Sequence, residues 1–309
     1  MQSNYTRWKY GLSLSLFAAV IWAFLPIILK GLLGAMDTIT ITWYRFISAA
    51  VVVSIIIALK YRDFNWRKLR GQTLLLMLVA IVCLISNYVT FLLGLNQTTA
   101  SSTEVMIQMA PMLLLLGGVI IFKESFSRLQ FIGVCIFVGG LGLFFNHRWA
   151  EIIESFGSYR IGFLWILLSS IMWATYALAQ KVLLARFSSF HAMFYIYAVG
   201  TFLLLPGAEL GQIQRLSTLA WVLLALSCLN TLFAYGAFAE ALNHWEASRV
   251  SAVLTLTPLL TILFVYFINC IFPNYIEVEP LNWISIVGAV LVVAGSMLAA
   301  LAKAKADKT

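Results

Sequence analysis

Two ionisable residues stand inside long apolar runs of this sequence: Arg45 within ITITWYRFISAA and Glu104 within ASSTEVMIQMAPM. A charge in such a place is costly, so it marks a pairing or a binding role. An arginine fork fits a carboxylate, and a glutamate accepts from an ammonium group or takes up a proton. Together the two residues can hold both ends of a zwitterion and pair with each other when no ligand is present. The structural alternative is a permanent ion pair between helices, or an Arg45 that snorkels to an interface. Glu104 is alternatively a proton carrier, since burial can raise a carboxyl's pKa. Gln108 lies one helical turn beyond Glu104 and extends the polar stripe, or else makes an interhelical hydrogen bond. Asn87, Tyr88 and Trp22 join this candidate substrate-binding set. A less polar second set comprises Trp173, Tyr176, Asn230, Tyr235 and Thr255, which offers aromatic faces and hydroxyls, or ordinary packing.

Enzyme chemistry has little to work with. The three histidines (His147, His191, His244) are far apart, and no H-E-x-x-H, G-x-S-x-G or P-loop motif occurs. Cys83, Cys135, Cys228 and Cys270 all lie in apolar stretches without C-x-x-C spacing. They read as buried small hydrophobes, with no disulfide or metal implied. No cofactor is expected. The absence of an ATP-binding motif excludes primary pumping by this chain alone.

The elements that position these residues follow from composition. Of 309 residues, 62% are apolar and 10% charged, against roughly a quarter charged in soluble domains. A bilayer solvates that much apolar surface; water does not. Ten apolar runs, at about 10–30, 38–59, 72–94, 98–122, 128–146, 160–181, 189–208, 218–241, 246–271 and 281–302, are each long enough, or nearly so, to span it. They must be helices, because a lone segment in lipid satisfies its own backbone hydrogen bonds, and no barrel-like alternation occurs. The first run is too long for a signal peptide and lacks a cleavage site.

The net charge of +8 does not imply a nucleic-acid partner, since the basic residues sit in short loops rather than along one face. They report orientation. With the N-terminus cytoplasmic, Arg7, Lys9, Lys60, Arg62, Arg67, Lys68, Arg70, Lys123, Arg128, Lys181, Arg186, Arg249, Lys303, Lys305 and Lys308 lie inside, and only Lys30, Arg148, Arg160 and Arg215 outside. Ten crossings with both termini cytoplasmic satisfy the positive-inside rule.

The chain also repeats itself. At an offset of 147, Tyr88, Phe91, Leu95–Asn96, Ala100–Ser101 and Pro111 meet Tyr235, Phe238, Leu242–Asn243, Ala247–Ser248 and Pro258. At 151, Gly11, Leu16, Trp22–Ala23 and Lys30 meet Gly162, Leu167, Trp173–Ala174 and Lys181. At 155, Gly133 and Gly140 meet Gly288 and Gly295, so eight residues have been added within NCIFPNYIEVEP. The repeats are 1–146 and 160–309, the second with a basic tail, joined by an external linker at 147–159. Five crossings each make the second repeat inverted, a plan of secondary transporters that move substrate by alternating access. Pro111 and Pro258 fall mid-helix as hinges or packing devices. Gly133, Gly139, Gly140, Gly142, Gly288 and Gly295 suit close packing of helices 5 and 10, which are also a candidate dimer surface. Glu240, Glu246 and Arg249 are placed in an ion network at the inner face.

Trp22, Arg45–Phe46, Ala100–Ser101 with Pro111, Ala247–Ser248 with Pro258, and Glu124 before Gly133, in this order and doubled spacing, resemble the drug/metabolite transporter superfamily, EamA type. The resemblance covers nearly the whole chain, although Glu104 stands where that family more often has a small or apolar residue. It implies a ten-helix fold with a central cavity in the bacterial inner membrane, exporting or exchanging small metabolites. Amino acids and related zwitterions are the expected cargo. Amphiphilic drugs, nucleotide precursors, a channel-like facilitator and, last, a membrane-embedded enzyme are the alternatives. The expected partners are a small-molecule substrate and the bilayer, with the chain a monomer or weak homodimer.

Overall fold

The computed structural model describes residues 8–60, 69–123, 125–153, 157–245, 247–273 and 275–302. Among them there are helices and connecting turns and no strands. Glu124, Glu246 and the basic positions 7, 62, 67, 68, 303, 305 and 308, like the side chains of Lys60, Tyr235, Asn243, Ala247 and Ser248, lie outside the described residues.

The first half contains α1 (Trp8–Leu33), α2 (Thr38–Lys60), α3 (Gln72–Gln97), α4 (Ala100–Ile107), α5 (Met109–Phe122) and α6 (Arg128–Phe144). A short α7 (Trp149–Ile153) lies in the linker. The second half contains α8 (Ser158–Leu183), α9 (Ser189–Leu204), α10 (Thr218–His244), α11 (Ala247–Leu254), α12 (Thr257–Ile271) and α13 (Trp283–Leu301). Two 3-10 turns, Leu205–Gly207 and Leu210–Arg215, connect α9 to α10.

Among the described residues, nine helical segments are long and apolar enough to cross a membrane, with α4–α5 and α11–α12 each forming one. The remaining apolar helix, α6, has 17 residues, or about 25 Å, slightly less than a hydrocarbon core of roughly 30 Å. The outward faces are apolar, with Leu59, Ile120, Phe202 and Trp283 each more than 70% exposed, as suits side chains solvated by lipid.

The main helix contacts are α3 with α8, α1 with α10, α6 with α13, α2 with α9, α5 with α8, and α1 with α12. Exchanging each helix of one half for its counterpart in the other leaves this set unchanged: α3 on α8 becomes α10 on α1, α5 on α8 becomes α12 on α1, and the α6–α13 and α2–α9 pairs map onto themselves. The packing therefore has the pseudo-two-fold symmetry of the sequence repeat.

Glycines set the closest crossings. A Cβ on Gly140 would lie 2.6 Å from the Val292 nitrogen, and one on Gly133 would lie 2.7 Å from that of Ala299. Cβ atoms on Gly288 and Gly295 would overlap the Phe144 and Phe137 amides. Backbone meets backbone there, so α6 and α13 pack only because these four side chains are absent. Gly139 and Gly142, expected in the same seam, face open space.

Helix ends fall where the capping chemistry dictates. Ser127 and Gln130 form a reciprocal capping box on α6, and Ser188, Ser217 and Asn282 cap α9, α10 and α13. Contacts define two ends of the bundle. Gly11 meets Trp245, Arg186 donates to Thr73, and Lys181 lies over the Phe122 ring at the N-terminal end. Lys30, Thr98, Arg148 and Glu279 gather at the opposite end.

Candidate functional site

The fourth and ninth apolar runs are interrupted rather than simply kinked, and the prolines explain where. Pro111 has no N–H to offer the Ile107 carbonyl four residues back, and its ring crowds that carbonyl. α4 accordingly ends at Ile107 and α5 begins at Met109. Pro258 acts in the same way on Leu254, where α11 ends. The Thr257 hydroxyl donates to the freed Leu254 carbonyl, and Thr255 Oγ1 donates to Ala252 O at 2.7 Å. The residues in the two breaks, Gln108 and Thr255, are repeat counterparts.

A cavity of about 510 Å³ lies beside these breaks and between the halves. Trp22, Glu104, Gln108, Trp173 and Thr255, all anticipated from sequence, line it. The Trp22 and Phe238 rings lie 5.8 Å apart at a tilt of 50° and form one aromatic wall. Glu104 and Gln108 are each 7% exposed. Among the described residues, neither side chain has a hydrogen-bond or ion-pair partner. Ser296 Oγ, also in the lining, is buried without a partner. From this polar centre the cavity follows α5, α8 and α13 toward the N-terminal end, reaching Gly118, Lys181 and Ala300.

The opposite end is closed around Glu279, which is 1% exposed. One carboxylate oxygen accepts from Thr99 Oγ1 at 2.6 Å and Ser102 Oγ at 2.8 Å. The other accepts from Arg148 Nε at 2.9 Å and lies 3.3 Å from His147 Nε2. Tyr159 donates to Ser102 at 2.8 Å and carries the Arg148 guanidinium over its ring at 4.7 Å. Thr99 is itself the N-cap of α4, so the carboxylate also faces the positive end of a helix. Burial pushes the Glu279 carboxyl up, but the hydrogen bonds from Thr99, Arg148 and Ser102, together with the Arg148 charge, outweigh that and hold it below the usual carboxylate range. Lys30 adds a second tie, donating to the carbonyls of Leu95 and Thr98 at 2.9 and 2.6 Å.

Arg45, Asn87, Tyr88, Tyr176 and Asn230 sit outside the cavity lining, whereas Pro111 is part of it. Arg45, 4% exposed, donates from Nε to Thr231 Oγ1 at 3.2 Å and lies 4.5 Å over the Tyr88 ring. It makes no ion pair with Glu104, contrary to the expected pairing: the hydroxyl and the aromatic face occupy the guanidinium instead. Tyr88 is thereby engaged, and Phe46 packs edge-on against it as well. Asn87 bridges α3 to α8, donating to Ser169 O at 3.0 Å and Ser169 Oγ at 2.8 Å. Tyr176 donates to Met193 Sδ at 3.3 Å, and Asn230 donates to Ile21 O at 2.6 Å. At the N-terminal end, Glu240 pairs with His244 at 2.9 Å.

Sequence reasoning did not select Phe238, Ser251 or Ser296 for the cavity, nor Glu279 and Arg148 for the closed end. Phe238 was legible as the repeat counterpart of Phe91, and Ser251 as one turn before Thr255. Glu279 lies in the segment that holds the eight-residue addition, where an acidic loop residue looks solvated until the fold buries it.

Apolar helices with two-fold packing, a cavity between the halves and a closure at one end define a class: multi-pass membrane transporters. Residues 9–146 and 160–301 match the EamA-like transporter family. The chain belongs to this family, within the drug/metabolite transporter superfamily. It is 38% identical over 291 residues to an "Uncharacterized transporter" of Haemophilus influenzae, with 94% of each chain covered. It is 35% identical over 292 residues to the "Uncharacterized inner membrane transporter YhbE" of Escherichia coli, covering 94% of this chain and 91% of that one. A solved crystal structure shares the fold at a TM-score of 0.62 and 14% identity, covering 94% of this chain and 98% of that one.

Proposed function

We propose that this protein is a secondary transporter of the bacterial inner membrane that exports or exchanges small organic metabolites by alternating access. It does so with ten crossings, both termini cytoplasmic, and without enzymatic activity. The two inverted units are residues 1–146 and 160–309, with 147–159 as an external linker. The observation that carries this reading is a cavity with unpartnered Glu104 and Gln108, continuous toward one end of the bundle and separated from the other by the Glu279 cluster. On the proposed topology the cavity faces the cytoplasm. The family membership, and a relative named as an inner membrane transporter, support the same assignment.

The amino-acid reading needs Arg45 and Glu104 in one cavity. With Arg45 outside the lining, its carboxylate-binding half lacks support, and transport of small amine-bearing or polar metabolites is the reading that remains. Counterflow into proteoliposomes tests it with a panel of amino acids, amines and carboxylates. Saturable exchange of at least one class is expected, without ATP. If no panel member moves faster than in protein-free liposomes while the protein is folded, the transporter reading falls.

A further inference from the structure

We infer that the cavity selects organic cations: compounds with one ammonium group on an aromatic or apolar body. This rests on the transporter reading and names its cargo class.

Three polar side chains converge on the cavity with their hydrogen-bonding capacity unspent: the Glu104 carboxylate, the Gln108 amide and the Ser296 hydroxyl. A buried polar group without a partner costs free energy, and a buried carboxylate costs most. A site that leaves such groups unpaired when empty rewards a ligand that pairs them. The sign of that ligand follows from the lining. Glu104 is its acidic member, and Arg45, which would hold an opposing carboxylate, is turned to Thr231 and Tyr88. Lys181, the basic member, stands eight residues beyond Trp173 on α8, about 12 Å further toward the N-terminal end, and lies 4.6 Å over the Phe122 ring. It therefore belongs to the mouth rather than to the binding centre.

The body of the ligand follows from the walls. Trp22, Trp173 and Phe238 present aromatic faces, which attract cations and pack against apolar groups. The remainder of the surface is mostly apolar, and about 510 Å³ falls within the range of small-molecule sites. An anion meets Glu104 with like charge. A zwitterion brings a carboxylate for which, among the described residues, the centre has no cationic partner.

Three probes of similar size and different charge test the inference: phenethylammonium, phenylalanine and phenylacetate. Their binding to the detergent-solubilised full chain is measured by competition against radiolabelled phenethylammonium, and by direct binding of labelled phenylalanine. The cation is expected to bind at least about tenfold more tightly than the other two, as a buried charge partner warrants. Glu104→Gln should abolish that preference. Trp173→Leu should weaken cation binding several-fold, with Trp173→Phe restoring it, because only the aromatic variant keeps a π face. Equal or tighter binding of phenylalanine or phenylacetate overturns the inference, as does a cation preference that survives Glu104→Gln, or no cation binding to folded protein. Counterflow with the same probes separates the two readings. Exchange of phenylalanine without the cation removes the cargo class and leaves the transporter. Cation binding with no exchange of any probe keeps the site and removes transport.

Discussion

Replacing Arg148 with alanine should open the closed end of the bundle. Its guanidinium donates to Glu279 at 2.9 Å and to both oxygens of Glu151 at 2.9 Å. Glu151 is 46% exposed along its side chain, so that second pair contributes little. The Glu279 contact matters because its carboxylate is 1% exposed. Losing a charge-assisted hydrogen bond costs about 1.5–3 kcal/mol, and stranding a buried charge raises the figure toward about 3–5 kcal/mol. Thr99 and Ser102 still donate to the carboxylate, which sets the expectation at about 3 kcal/mol. An arrangement open at this end lacks the contact altogether, so the penalty falls on the closed one. At about 1.4 kcal/mol per factor of ten, the closed-to-open ratio drops about a hundredfold.

A cysteine at Ala100 reads this out. Ala100 is fully buried and lies one residue after Thr99. In a background lacking Cys83, Cys135, Cys228 and Cys270, an impermeant maleimide applied from the closed side should label Ala100→Cys slowly. Adding Arg148→Ala should accelerate labelling by up to about a hundredfold, and Glu279→Gln, which keeps an acceptor oxygen, should do so less. If Arg148→Ala changes the rate by less than about twofold in folded protein, the cluster does not hold this end shut and the energetic argument fails.

Other consequences are open to measurement. Because the folded pKa of Glu279 lies below its ordinary 4.5, its stabilisation is complete above that value and is lost only as pH falls through the depressed one. Labelling at Ala100→Cys, taken relative to an exposed reference cysteine because only the thiolate reacts, should therefore stay level from neutral pH down to 4.5 and rise only below. A rise centred near pH 6 would point away from Glu279. Gly288→Ala should destabilise by about 1–3 kcal/mol, because the Phe144 backbone leaves no room for the methyl. Gly139→Ala, facing open space, should stay within about 0.5 kcal/mol; thermal unfolding in detergent compares the two, and equal losses would contradict the close crossing. Asn87→Ala removes the bridge to Ser169 and should cost about 0.6–2 kcal/mol without changing probe affinity in the cavity. A large affinity change would return Asn87 to the binding site.

The sequence by itself determined that this chain is a helical membrane protein with two homologous halves. Those properties are additive along the chain: hydropathy sums over each run, and repeat offsets need no partner. Pro111 and Pro258 located the helix breaks for the same reason, since a missing N–H is local. Glu104, Gln108, Trp22, Trp173 and Thr255 could be picked because a polar or repeated aromatic residue inside an apolar run stands out in one dimension.

Which of the candidates meet was decided only by the tertiary structure. Arg45 and Glu104 look like partners because each is a charge inside an apolar run, yet position along a helix fixes one coordinate, and helix rotation fixes the other. Rotation is set by packing, and it turns Arg45 to Thr231 and Tyr88 while Glu104 faces the cavity. Gly139 and Gly140 are adjacent in sequence, but about 100° of helical turn separates a backbone contact from open space. Glu279 became a closing residue because the added segment folds over the end of α4, bringing a carboxylate to Thr99 and Ser102 from about 180 positions away. Contacts of that kind depend on where whole helices come to rest, and no local pattern in the chain encodes them.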